Sequence, residues 1–316
     1  MVMENPNLHS LNALVTGYIN NGKPKQALLL YHRMRKEDLL YLNQHTILGL
    51  LKACGKCKDI GIGLRIHLLV VETGLLEVNS FIVSTIVDMY AKCGSVIKAK
   101  QMFMKIRVRD VVSWTSLIAG YCENDSGVKA LECFEEMKED QISPNDVTFA
   151  CVLRACSYVV ARGKGQEIHE EIERQGLLER NLFLGSTLVD MYAKFGYLRK
   201  AKDVFDNISI TRNDVAWNTL ISAYATYGCG DEALECCEWM QNEGISPTDI
   251  TFVCSLNACA SIRSIRKGKI LHAITFQTKK QVPSHKDFSN IPQELELLVY
   301  GPFMKVYNGT EILPLF

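Results

Sequence analysis

The stretch STIVDMYAKCGSVIKAK at residues 84–100 returns as STLVDMYAKFGYLRKAK at 186–202, with twelve of seventeen positions identical at an offset of 102 residues. Self-similarity at a fixed offset marks a repeat architecture. Two more series share the offset. DVVSWTSLIAGY at 110–121 returns as NDVAWNTLISAY at 213–224 and, more weakly, precedes itself as NLHSLNALVTGY at 7–18. TILGLLKAC at 46–54 returns as TFACVLRAC at 148–156 and TFVCSLNAC at 251–259. Each series steps by 102 or 103 residues, so a triplet of unlike units is itself repeated.

Each unit reads as a pair of short helices. In 111–145, Trp114, Leu117, Ile118 and Tyr121 fall on one helical face. ENDSG at 123–127 supplies turn chemistry. Ala130, Leu131, Phe134 and Met137 then mark the buried side of a second helix. Pro144 closes the unit, since it lacks a backbone donor and biases Ser143 away from helix. Gly120 and Ala130 are small enough to let helices approach closely. One helix pair cannot bury its apolar face alone, whereas stacked pairs form a continuous core with nearest-neighbour stability. The expected fold class is therefore all-α: an α-solenoid superhelix of about seven complete helix-turn-helix repeats plus one partial repeat. Its hand does not follow from the sequence. After a lead at 1–7, the repeats are assigned to 8–43, 44–79, 80–110, 111–145, 146–181, 182–213, 214–248 and, in part, 249–278, with a non-repeat tail at 279–316.

Composition narrows the function classes. Lys plus Arg equals Asp plus Glu at 35 each, so no bulk charge draws the chain to polyanions. No run of eighteen apolar residues predicts a membrane span. The start, MVMENPNLHS, matches neither a signal peptide nor an Arg/Ser-rich transit peptide. The twelve cysteines fall largely within amphipathic helical patterns and read as reduced core thiols.

With its standard units (VVSWTSLIAGY, ALECFEEM, ISPN), long units (VLRACS, GKGQEIHEEIERQG) and short units (STLVDMYAKFG, AKDVF), the chain resembles the plant pentatricopeptide repeat family. The narrower resemblance is to the subclass that alternates standard, long and short repeats, and it covers residues 8 to about 278. A tetratricopeptide array, the nearest rival, has a uniform 34-residue period. The family resemblance implies single-stranded RNA binding, one base per repeat. It also implies base reading by the fifth and last residues of each repeat, with the array running parallel to the RNA.

Carried over on that basis, Asn12 with Asn43 implies a pyrimidine and Ser84 with Asp110 a guanine. Thr115 with Asn145 and Ser186 with Asn213 imply adenine, and Asn218 with Thr248 a pyrimidine. The long repeats offer Leu48 with Asn79 and Ala150 with Asn181; Leu48 and Ala150 cannot hydrogen-bond a base edge, so those repeats receive no base. The expected site is 5′-YNGANAY-3′. Phe81, Val112, Val147, Phe183, Val215 and Ile250, the second residues of their repeats, are expected to flank the bases. His9 departs from that pattern, and the first repeat carries one extra residue before Asn43. Lys92 and Lys194, equivalent in the two short repeats, are candidates for phosphate contact; solvated lysines are the alternative. For the closing residues the alternative is helix capping, which suits Asp110, Asn145 and Asn213 equally.

No enzyme chemistry is expected. Family members of this subclass often end in a deaminase-like domain with an H-x-E and P-C-x-x-C zinc signature. His169 begins a formal H-x-E, but it shares a repeat position with His67 and His272, and no proline is directly followed by a cysteine. Cys54 and Cys57 form a C-x-x-C, yet Cys54 recurs as Cys156 and Cys259 and no second pair lies at zinc-finger spacing. No cofactor, metal, membrane or small-molecule substrate is expected. The tail, with four of the eight prolines, matches no repeat and reads as the end of a truncated product.

Family resemblance places the chain in mitochondria or chloroplasts. The task it implies is organellar RNA processing, specifically site recognition for C-to-U editing, with a separate deaminase or editing cofactor protein as partner. A protein-binding helical scaffold and an inactive fragment remain the alternatives. Three fixed bases and two pyrimidines select roughly one position in 256, so targeting a single transcript needs a partner or a longer protein.

Overall fold

Short helices of 13 or so residues are marginal alone in water, so their ends and their apolar faces decide whether they form. The ends are set by side chains. Asn43, Asp110, Asn145, Asn181, Asn213 and Thr248 each stand at an N-cap and accept from a backbone N–H in the first turn, satisfying donors that the helix itself leaves unpaired. Gly94 and Gly196, at φ +80° each, make the tight turns that follow the helices ending at Lys92 and Lys194.

The computed structural model describes residues 8–36, 42–78, 80–208, 212–269 and 271. The lead 1–7, Asn79, His272, the remainder of the eighth repeat and the tail 279–316 lie outside the described residues, as does the side chain of His9. The described residues form sixteen helices and no strand.

The chain divides into two compact units, Met1–Ala161 and Arg162–Phe316. The first holds α1 (Leu8–Asn20), α2 (Pro24–Lys36), α3 (Gln44–Cys57), α4 (Ile60–Glu72), the single turn α5 (Leu75–Val78), α6 (Ser80–Lys92), α7 (Val96–Phe103), α8 (Val111–Glu123), α9 (Gly127–Glu139) and α10 (Asp146–Val159). The first helices α1, α3, α6, α8 and α10 pack in sequence, and α2, α4, α7 and α9 each lie on their own partner. The second unit holds α11 (Arg162–Arg174), α12 (Leu182–Lys194), α13 (Leu198–Asp206), α14 (Asp214–Thr226), α15 (Gly230–Asn242) and α16 (Asp249–Ser261). There α12, α14 and α16 pack in sequence, with α13 on α12 and α15 against both α14 and α16. This is the helical-pair stacking of an α-solenoid.

The faces expected from the sequence are the buried ones. Trp114, Leu117, Ile118 and Tyr121 of α8 and Ala130, Phe134 and Met137 of α9 are core residues, while Leu131 is half-buried. Close approach is real at Gly120, where an added Cβ would collide with the methyl of Ala91. All twelve cysteines are free thiols and nine are buried. Burial pushes Cys122, Cys133 and Cys236 up to about 12, so these thiols are inert packing groups.

Candidate nucleic-acid interface

Five of the first helices, α1, α6, α8, α12 and α14, carry a polar residue about one turn from their N-termini. Asn12, Ser84, Thr115, Ser186 and Asn218 are only 3–8% exposed. The closing residues Asn43, Asp110, Asn145 and Asn213 are exposed and Thr248 is half-buried. Capping, the alternative for these residues, is thus physically present: Asp110 Oδ1 accepts from Ser113 N at 2.8 Å, Asn145 Oδ1 from Thr148 N at 2.9 Å, and Asn213 Oδ1 from Ala216 N at 3.0 Å.

Capping also brings the paired residues together. Asn218 Nδ2 donates to Thr248 Oγ1 at 3.1 Å, joining the fifth and last side chains of one repeat across two neighbouring helices. Thr115 and Asn145 meet through a third residue, Thr148, whose hydroxyl lies 2.7 Å from Thr115 Oγ1 and 2.9 Å from Asn145 Oδ1. Ser186 donates to Leu182 O at 3.0 Å. Thr148 and Thr251, both fully buried, were not singled out by sequence reasoning. Their recurrence three residues after each closing residue was the available signal. Of the long-repeat residues, Ala150 is buried and Leu48 half-buried, and Asn181 caps α12.

At the start of α6, α8, α10, α12, α14 and α16, the second residues of the assigned repeats stand out of the core. Phe81, Val112, Val147, Phe183, Val215 and Ile250 are 45–63% exposed. Six exposed apolar side chains at one repeat position, next to polar residues that are buried, are an unusual reversal of the inside–outside pattern. A flat apolar face beside hydrogen-bonding groups suits an unstacked base.

Lys92 and Lys194 are ion-paired within their own helices, Lys92 Nζ with Asp88 Oδ2 at 2.8 Å and Lys194 Nζ with Asp190 Oδ2 at 2.7 Å. His67 on α4 and His169 on α11 each have a structural place. Their Nδ1 atoms lie 2.7 Å from Tyr90 Oη and 2.9 Å from Tyr192 Oη. Cys54 is fully buried and burial pushes its thiol well above the ordinary range. Among the described residues no group of three His, Cys, Asp or Glu is placed to hold a metal, and no helix is long and apolar enough to cross a membrane.

Comparison with known proteins bears on this arrangement. A model described as the PPR repeat family matches residues 109–157 and 212–261, and a PPR repeat model matches 9–39, 81–111 and 186–209. A mitochondrial pentatricopeptide repeat-containing protein of Arabidopsis thaliana is 35% identical over 261 residues, covering 83% of this chain and 37% of that protein. A chloroplastic one from the same plant is 33% identical over 266 residues, covering 84% of this chain and 32% of that protein. The chain spans 32% to 44% of the length of such curated relatives. The crystal structure of the pentatricopeptide repeat protein PPR10 from maize matches with a TM-score of 0.70 at 18% identity, covering 96% of this chain and 42% of that one. PPR10 in complex with an 18-nt psaJ RNA element matches with a TM-score of 0.73 at 18% identity, covering 96% and 44%. These structural likenesses establish the fold.

Proposed function

The chain belongs to the pentatricopeptide repeat family, and on that premise we propose that it binds single-stranded RNA in plant organelles, one base per repeat. The observation that carries this reading is the bond between Asn218 and Thr248. The fifth and last side chains of one repeat form a single polar surface, and the exposed Val215 stands at the start of the same helix. Complex formation by PPR10 with an RNA element supports the same chemistry.

The finer reading is that the repeats alternate standard, long and short forms and read 5′-YNGANAY-3′. On this reading the task is site recognition for C-to-U editing, with a separate protein supplying the deaminase. Mitochondrial and chloroplastic relatives support an organellar location. Lys92 and Lys194 contact phosphate in this account. Each would exchange an intrahelical ion pair worth only about 0.3–0.5 kcal/mol, so the pairing is a small obstacle.

The test is binding of the full chain to 5′-CAGAUAC-3′ within an unstructured RNA, against a variant with the fourth core base changed from A to G. Asp caps a helix as well as Asn does, so Asn145→Asp keeps the fold and should move preference from adenine to guanine. If neither RNA binds above a salt-sensitive background, base reading fails and a protein-binding scaffold becomes the better account.

A further inference from the structure

Thr148 and Thr251 occupy the third position of their repeats, so they belong to neither reading pair, yet each contacts both members of the preceding one. Thr148 Oγ1 lies 2.7 Å from Thr115 Oγ1, 2.9 Å from Asn145 Oδ1 and 3.3 Å from Asn145 N. Thr251 Oγ1 donates to Asn218 Oδ1 at 2.6 Å, lies 3.2 Å from Thr248 Oγ1 and accepts from Thr248 N at 2.9 Å. Both threonines are fully buried, so neither touches RNA itself.

Counting protons shows what Thr148 does. The backbone N–H of Thr148 donates to Asn145 Oδ1 at 2.9 Å, which fixes the orientation of the Asn145 amide. The single hydroxyl proton of Thr148 goes to the same Oδ1. Its bond with Thr115 is therefore one it accepts, and Thr115 donates. Asn145 Oδ1 is then filled by two donors, leaving the Nδ2 hydrogens free to face a ligand. Thr115 has spent its proton and presents a lone pair. A donor beside an acceptor complements the adenine edge, which offers the N1 lone pair beside the N6 amino group; guanine carries donor and acceptor in the opposite order. Ser186 reaches the same acceptor state by another route, donating to Leu182 O, where Ala216 stands at the threonine position.

We propose that Thr148 and Thr251 are positioning residues that set base selectivity by orienting the hydroxyl and amide groups of the preceding reading pair. The inference rests on the RNA-reading assignment above. It adds a third, buried position to each such site.

The full chain and its Thr148→Val and Thr148→Ser variants would be measured on the 5′-CAGAUAC-3′ RNA and on RNAs with the fourth or sixth core base changed from A to G. Thr148→Val should reduce adenine preference at the fourth base about tenfold, the scale of one well-placed contact to a base edge, and leave the sixth base, read by Ser186, unchanged. Thr148→Ser keeps the hydroxyl and should keep the preference. Thr251→Val, read as pyrimidine against purine at the seventh base, repeats the test in the other unit should Thr148→Val fail to fold. Unchanged selectivity in the valine variants overturns the inference while leaving RNA reading intact. Equal loss at the fourth and sixth bases, or loss in the serine variant matching that in the valine variant, overturns it as a purely structural role. No base preference in the unsubstituted chain overturns the function and the inference together.

Discussion

Phe205 meets Trp217 edge to face, with ring centroids 4.6 Å apart and planes at 67°. Phe103 and Trp114 form the same contact one repeat triplet earlier, also at 4.6 Å. Each pair joins a second helix to the first helix that follows it, α7 to α8 and α13 to α14, and each carries an arginine. Arg212 lies 4.8 Å from the Phe205 centroid and bonds Glu243 at 2.7 Å, while Arg109 lies 5.0 Å from Phe103 and bonds Asp140 at 3.2 Å. Trp217→Ala should cost about 3–5 kcal/mol in a denaturant titration, the range for emptying a buried aromatic site. Arg212→Met, which keeps the aliphatic cover, should cost about 1 kcal/mol.

Asn213 separates stability from recognition. Asn213→Ala removes a cap and should lower stability by about 1 kcal/mol. Asn213→Asp restores the cap, so its thermal midpoint should return to that of the parent while the base preferred at the sixth position changes. A variant set in which affinity simply follows stability would leave capping as the whole role of this residue.

Gly120 and Gly63 should respond differently to the same methyl group. At Gly120 the new Cβ meets the Ala91 methyl, which has no rotatable bond by which to turn aside. Gly120→Ala should therefore cost about 1–3 kcal/mol. At Gly63 it meets Met89 Sδ at 2.5 Å, and the flexible thioether can turn aside. Gly63→Ala also removes a helical glycine, so its net effect should stay within about 1 kcal/mol of zero. Thermal melts of the two variants decide this.

The two histidines give the fold a pH dependence. Burial lowers the His67 imidazole below its usual 6.5, and Lys105 and Lys98 add to it. Burial also lowers His169; Glu173 and Glu170 oppose the shift and Lys200 reinforces it, and burial prevails. A group whose folded pKa is depressed in its basic form binds fewer protons folded than unfolded. The neutral imidazoles thus favour folding fully above about pH 6.5, and that contribution is lost as pH falls from there toward the folded values. The midpoint should drop between pH 7.5 and 5.5, and a His67→Gln/His169→Gln chain should drop less.

Much of this fold was legible because repetition turns one ambiguous helical pattern into several independent copies. Trp114 on a helical face is a weak signal alone; Trp114 and Trp217 at a fixed offset, each preceded by an equivalent Phe, are a strong one. The paired residues were reachable only through the family resemblance, since no local periodicity links Asn218 to a residue thirty positions on. What the sequence did not yield was the depth of the site. Thr115, Ser186 and Asn218 look like surface polar residues and lie almost buried, because the next repeat covers them. Thr148 and Thr251 recur at one repeat position, but that recurrence does not say that each hydroxyl bonds a side chain 33 residues back. Lys92 and Lys194 show the converse, since Asp88 and Asp190 sit at the i,i+4 spacing that predicts their pairs.

The polar cluster formed by Thr115, Asn145 and Thr148 spans two packed first helices, α8 and α10, with α9 between them in the chain. On the proposed reading of RNA, folding modules and reading modules are therefore out of phase along the chain. A cassette cut after Asn145 and moved to another array would carry both readers and leave their hydroxyl clamp behind. Its recipient would then determine how faithfully the transplanted pair is read. Shuffling of such arrays would conserve specificity only when the boundary falls inside the following helix, beyond Thr148, rather than in the loop where the repeat by convention ends.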